Sequence, residues 1–123
     1  MFQFPKNQKL CNKKEITVLF NKGNNVFMYP FQLIWSNETK KEDCLKTLFL
    51  VPKKKVKLAY KRNRLKRRIK EAYRLQKRTL EMILKCKNQQ LNIAIIYKSE
   101  NVYKYSFLEK KINLLLKRLK NLL

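Results

Sequence analysis

Residues 53–74 read KKKVKLAYKRNRLKRRIKEAYR, and the rest of the chain is understood from this stretch outward. From Leu58 onward apolar side chains recur at helical spacing: Leu58, Leu65, Ile69, Ala72 and Tyr73, continued by Gln76, Leu80 and Ile83. That i, i+3, i+4, i+7 stripe predicts a helix over about 58–86 with one side packed on a sheet. Asn63, Arg67, Lys70 and Arg74 fall on the face opposite the stripe. Six of the eight residues from Lys61 to Arg68 are basic, and Glu71 is the one acid close by. Arg offers a planar fork of donors matched to phosphate oxygens, and Lys a mobile point charge. Held on a rigid helix, such side chains form a ridge suited to the spaced phosphates of a folded nucleic acid. Asn63 adds a donor and an acceptor able to meet a base edge or a 2′-hydroxyl. A merely solvated charged face is the plain alternative, and it leaves so dense a cluster without a purpose. Arg62 projects near the edge of the apolar stripe, so its stem is expected to pack while its head snorkels outward.

Beyond this helix, Asn88 to Gln90 forms a break, and LNIAIIY (91–97) is a continuous apolar run of the kind a buried strand shows. Ser106 and Glu109 make an S-x-x-E capping box, followed by Leu108, Ile112, Leu115, Leu119 and Leu122 as the stripe of a last amphipathic helix. Before it, LKTLFLV (45–51) predicts a strand stopped by Pro52, and NETKKEDC (37–44) a polar loop. In VFMYPFQLIWS (26–36), Phe31, Leu33 and Trp35 alternate with Gln32, Ile34 and Ser36, the period of a strand, with Pro30 expected at its start or on an edge. KKEITVLFNK (13–22) places Ile16, Leu19 and Phe20 on one helical face, and Gly23 suits the C′ stop. The order α-β-β(-β)-α-β-α predicts an α+β fold, a small α/β sandwich with helices on a sheet. Whether a third short strand accompanies 26–36 and 45–51 is open at this level. No repeat or low-complexity linker divides residues 1–123, so one domain is expected.

Thirty-one Lys and Arg stand against 8 Asp and Glu, a formal charge of +23, while 45% of residues are apolar. The apolar share supports a core and excludes a disordered polycation. The charge opposes compaction and calls for an anionic partner, nucleic acid first, because neutralised phosphates release condensed counterions. With no His in the chain and Cys11, Cys44 and Cys86 far apart, the Cys/His zinc pattern is absent and buried free thiols are expected. The commonest general base is missing as well. Glu38, Glu42 and Asp43 sit among lysines and are expected to be paired or solvated, not metal-binding. The first ten residues have no apolar h-region and no run approaches a membrane span, so a cytoplasmic protein is expected. A general double-stranded RNA-binding protein shares the basic helix. A membrane-active reading of the Leu-rich, basic stretch 106–123 competes more weakly, since a sheet is available to cover its apolar face.

The run V-P-K-K-K (51–55) with K-R-N-R-L-K-R-R-I-K-E-A-Y-R (61–74) resembles the R-N-R-x-K-R-x-x-R-E-like helix of bacterial ribonuclease P proteins. Flanking elements resemble that family in the same order: Leu10 to Gly23 with its F-x-x-G ending at Phe20 and Gly23, Phe31-Gln32-Leu33, Leu91 to Tyr97, and Phe107 to Leu119. The resemblance implies a left-handed β-α-β crossover, against the usual hand. It implies a protein subunit of an endoribonuclease whose RNA, with its bound Mg²⁺, removes the 5′ leader of precursor tRNA. No protein catalytic residue, protein-held cofactor or obligate protein partner is then expected. By motif position Lys53, Lys54, Arg62, Asn63, Arg64, Lys66, Arg67 and Arg68 would face the catalytic RNA. Phe20, Phe31 and Trp35 would line a cleft for the single-stranded leader. Two departures stand out: Ile16 replaces an aromatic one turn before Phe20, and Val56-Lys57-Leu58 stands where a Gly is common before the basic helix.

Overall fold

The computed structural model describes residues 13–39, 45–87 and 89–122. Along them run α1 (Lys13–Lys22), β1 (Asn24–Met28), β2 (Phe31–Thr39), β3 (Leu45–Leu50), α2 (Ala59–Lys87), β4 (Gln89–Tyr97) and α3 (Tyr105–Leu122). The strands form one sheet in the order β1-β2-β4-β3. β1 with β2 and β2 with β4 are antiparallel, while β3 and β4 are parallel and joined through α2. The helix expected over 58–86 and the strand expected over 91–97 are both present within two residues of their expected ends. The run 26–36 is in fact two strands. Met28 pairs with Phe31 across a tight turn in which the Tyr29–Pro30 peptide is cis, so Pro30 lies in the turn and not at an edge.

Register decides which side chains go where, because successive residues of a strand point to opposite faces. Phe31, Leu33 and Trp35 of β2 and Leu91, Ile93, Ile95 and Tyr97 of β4 enter one large core with Leu65, Ile69, Ala72, Tyr73, Leu80 and Leu84 of α2. Leu108, Ile112, Leu115, Leu116 and Leu119 of α3 complete it. On the opposite face Ile34, Ala94 and Ile96 form a small cluster with Leu19 of α1, flanked by Ile16, Leu48 and Leu50. β4 is thus covered on both sides, the physical reason for its unbroken apolar run.

The helical stripes are rotated slightly from their expected positions. Leu58 is 49% exposed just before α2, Leu84 is buried in place of Ile83, and in α3 Leu116 is buried while Leu122 is 54% exposed. α3 starts at Tyr105, where the Leu108 N–H donates to the Lys104 carbonyl at 3.1 Å. Ser106 therefore lies inside the first turn and is not the capping residue. Gly23 follows α1 as expected, but not through a left-handed backbone, since the protein has no glycine with positive φ. Close approach requires it: a Cβ there would stand 2.3 Å from the Leu19 carbonyl oxygen and 2.6 Å from Ile34 Cγ2. Cys11 and Cys44, like Glu42 and Asp43, lie outside the described residues.

Candidate nucleic-acid interface

The entry to α2 replaces the missing glycine with a packed turn. The Lys55 and Val56 N–H groups both donate to the Pro52 carbonyl at 3.1 Å, and Val56 is buried in the core. This turn leaves Lys53, Lys54 and Lys55 exposed. Arg62 points along the apolar stripe and turns its guanidinium back onto the turn, donating from Nη1 to the Val56 carbonyl at 3.0 Å and the Lys57 carbonyl at 2.8 Å. Arg62 is half-buried, and its head, expected to snorkel outward, instead fastens the loop.

The remaining polar and charged residues of this face divide by direction. Asn63, Arg64 and Arg67 are exposed, and Lys66 is partly so. Arg68 leans toward α3 and donates from Nη1 to the Tyr103 carbonyl at 2.7 Å. Lys70 is partly buried beside β3, its ammonium 5.9 Å from the Phe49 ring centroid, so it is not on the outermost face. Arg74 pairs with Glu71 one turn earlier. That pair holds the Glu71 carboxyl below the usual carboxylate range, the hydrogen bond from Arg74 contributing most. No acid occupies the first turn of α2, which is the positive end of the helix dipole. Cations at that end are unfavourable for an isolated helix and favourable for a bound phosphate.

The three expected aromatic residues do not come together. Phe31 is fully buried and Trp35 is 8% exposed, both on the α2/α3 side of the sheet, where they pack in the core. Their alternation with Ile34 separates them from α1, because Ile34 is the β2 residue that meets Leu19. Phe20 alone of the three is available, 41% exposed on α1. A residue not anticipated lies on the same side of the sheet: Phe27 of β1 pairs with Gln32, shares the α1 side with Ile34, and is 60% exposed. Beside it Gln32 donates to Asn25 Oδ1 at 2.8 Å. Further along this face the Ser36 Oγ and the Asn92 Nδ2, on paired positions of β2 and β4, are buried without hydrogen-bond partners. Strand parity was the signal that could have found Phe27; the family resemblance pointed to Phe31 and Trp35.

Among the described residues no group of three His, Cys, Asp or Glu side chains comes together, and no helix is long and apolar enough to cross a membrane. Among the described residues Tyr73 and Tyr97 are buried phenols. Burial pushes both phenols up, Tyr97 to about 12, and their hydroxyls bond within the fold, to Thr47 and to the Asn101 carbonyl.

Comparison with known proteins agrees with this geometry. The family model described as Ribonuclease P matches residues 4–120. A ribonuclease P protein component of Porphyromonas gingivalis is 28% identical over 110 residues, spanning 89% of this chain and 80% of the relative. The solved RNase P protein of Staphylococcus aureus superposes with a TM-score of 0.76 at 20% identity, over 92% of this chain and 95% of that one. That of Thermotoga maritima gives 0.66 at 19% identity, over 89% and 96%.

Proposed function

The chain belongs to the ribonuclease P family, the protein component of a tRNA-processing endoribonuclease, and from that premise we propose how its two surfaces divide the work. The outward cations of α2 and its entry turn, namely Lys53, Lys54, Arg64, Lys66 and Arg67, bind the catalytic RNA subunit together with the neutral amide of Asn63. The α1 side of the sheet, with Phe20 and Phe27, takes the single-stranded 5′ leader of precursor tRNA. Exposed aromatic faces there stack on unpaired bases, each worth about 1–3 kcal/mol. Hydrolysis of the phosphodiester, leaving a 5′-phosphate on the tRNA, falls to the RNA and the Mg²⁺ it holds. The protein relieves repulsion between two polyanions and favours precursor over product by holding the leader.

One observation carries this reading: the cationic ridge and the exposed aromatics stand on opposite sides of a four-stranded sheet, so two RNA segments can be held at once. The test is cleavage of a precursor tRNA by the matching catalytic RNA at low Mg²⁺, with and without the protein. Restored cleavage at the mature 5′ end supports the assignment. Tight RNA binding without stimulation, and indifferent to a leader, would replace it with general RNA binding.

A further inference from the structure

A strip of aromatic and cationic side chains leaves α2 on the side facing α3. Tyr60, Arg64 and Arg68 lie four residues apart and so line one side of the helix, spanning about 12 Å of its axis. Tyr60 is 58% exposed, with the Arg64 guanidinium carbon 5.9 Å from its ring centroid. Arg68 is bonded to the Tyr103 carbonyl, which moors the loop before α3 against α2. Tyr103 stacks on Phe107 with centroids 4.4 Å apart and planes inclined by 26°. Tyr29, from the β1–β2 turn, meets Tyr103 edge-on, and the two hydroxyls are 2.9 Å apart. A second bond at 2.9 Å ties the Tyr29 hydroxyl to Ser99 Oγ. Lys111 ends the strip, its ammonium 5.5 Å from the Phe107 centroid.

Closing the end of the large core accounts for Tyr103 and Phe107, which pack against it. It does not account for Tyr60, or for Tyr29, which is 46% exposed although two hydroxyl bonds fix its position. A ring held in place with a face open has lost its rotamer entropy in advance, the condition under which stacking on a base is least costly. The Arg64 guanidinium beside Tyr60 and the Lys111 ammonium beside Phe107 supply phosphate partners next to the rings.

We propose that this strip is a base-stacking surface for an unpaired segment of the catalytic RNA. The proposal rests on the reading above that α2 faces that RNA. The strip starts on the same helix and lies on the sheet side away from Phe20 and Phe27, which sets it apart from the leader surface. It also changes the role of Arg68, which becomes a positioning residue that presents Tyr103 and Tyr29.

The experiment measures affinity of the full-length protein for the catalytic RNA alone, and for a leader-bearing precursor tRNA alone, across a salt series. Tyr60→Leu and Tyr29→Leu keep apolar bulk and remove the π-face. Both residues are exposed, and thermal unfolding verifies each fold; Tyr60 makes no hydroxyl bond among those described, so its variant stays informative even if Tyr29→Leu is unstable. Each substitution is expected to weaken binding to the catalytic RNA roughly five- to hundredfold with the salt slope unchanged. Wild-type affinity in folded Tyr60→Leu would overturn the proposal, as would a loss confined to the precursor, which would assign the strip to the leader. Arg67→Ala serves as the control on the underlying reading: if it too leaves affinity and salt slope for the catalytic RNA untouched, the assignment of α2 fails and not the strip alone.

Discussion

The two faces of the sheet are covered to different depths. On one, α2 and α3, of 29 and 18 residues, seal Phe31, Leu33, Trp35, Ile93, Ile95 and Tyr97 in a continuous core. On the other, the ten-residue α1 closes only a patch of Leu19, Ile34, Ala94 and Ile96, and leaves Phe20 and Phe27 open. Stability is concentrated on the first face, while the second keeps apolar surface open. Aromatic residues therefore mean different things on the two sides, and substitution separates them. Phe31→Ala should lower unfolding free energy by about 3–5 kcal/mol, the cost of a large cavity in a packed core. Phe27→Ala should change it by less than about 1 kcal/mol while weakening precursor binding by about 1–3 kcal/mol. Denaturant unfolding and precursor titration on the same pair check both halves; a stable Phe31→Ala protein with impaired leader binding would reverse the comparison.

The junction between the faces is Gly23, where α1 is pressed onto Ile34. Gly23→Ala places a methyl within 2.3 Å of the Leu19 carbonyl oxygen, a backbone atom that yields only if the end of α1 lifts. A loss of about 1–3 kcal/mol is expected, with faster hydrogen exchange in α1 and weaker precursor binding, and with affinity for the catalytic RNA kept. Equal loss of both RNA affinities would show that α1 is not specific to the leader side.

Much of this plan is legible in the sequence, and the reasons it stops are specific. Spacing places α1, α2, β4 and α3 because their apolar residues repeat over two or more turns or fill a doubly covered strand. The β1–β2 turn escapes because Tyr29-Pro30 lacks the usual Asn-Gly pattern and sits inside a run of β-formers. Phe31 and Trp35 are misplaced because a resemblance transfers residue type more readily than strand parity; Ile34 alternating between them was the sign of a second apolar face. Arg62 and Arg68 belong to the same basic run as Arg64 and Arg67, yet their guanidinium groups are spent on carbonyls whose positions depend on distant loops.

The sealed face should also respond to alkaline pH. Burial raises the Tyr97 phenol from 10.0 to about 12, so its neutral form is favoured in the folded protein. The stability that follows is complete below the unfolded value near 10.0 and is lost as pH rises toward about 12. Tyr97→Phe removes this titration at the cost of the bond to the Asn101 carbonyl, so its stability should be lower at neutral pH and decline less steeply above pH 10.0. Tyr73, raised in the same direction, keeps the variant's profile from becoming flat. A wild-type profile no steeper than that of Tyr97→Phe would remove Tyr97 from the account.

The smallest stability effect falls within α2 itself and tests whether position or charge decides an arginine's role. Arg67 is exposed, so Arg67→Ala should alter unfolding by no more than about 0.5 kcal/mol. It should reduce the salt slope of catalytic-RNA binding by about one unit, the signature of one lost phosphate contact. Arg62 removes the same formal charge when replaced, but its two carbonyl acceptors hold the turn that presents Lys53, Lys54 and Lys55. Arg62→Ala should therefore cost about 1 kcal/mol or more of stability and loosen the 53–58 amides to exchange. Its binding loss should be non-additive with Lys53→Ala and Lys54→Ala, because the same contacts are lost by either route. If instead the losses add and the two arginines give identical salt slopes and stabilities, the run acts as an undifferentiated cloud of charge, and the inward hydrogen bonds of Arg62 carry no weight in binding.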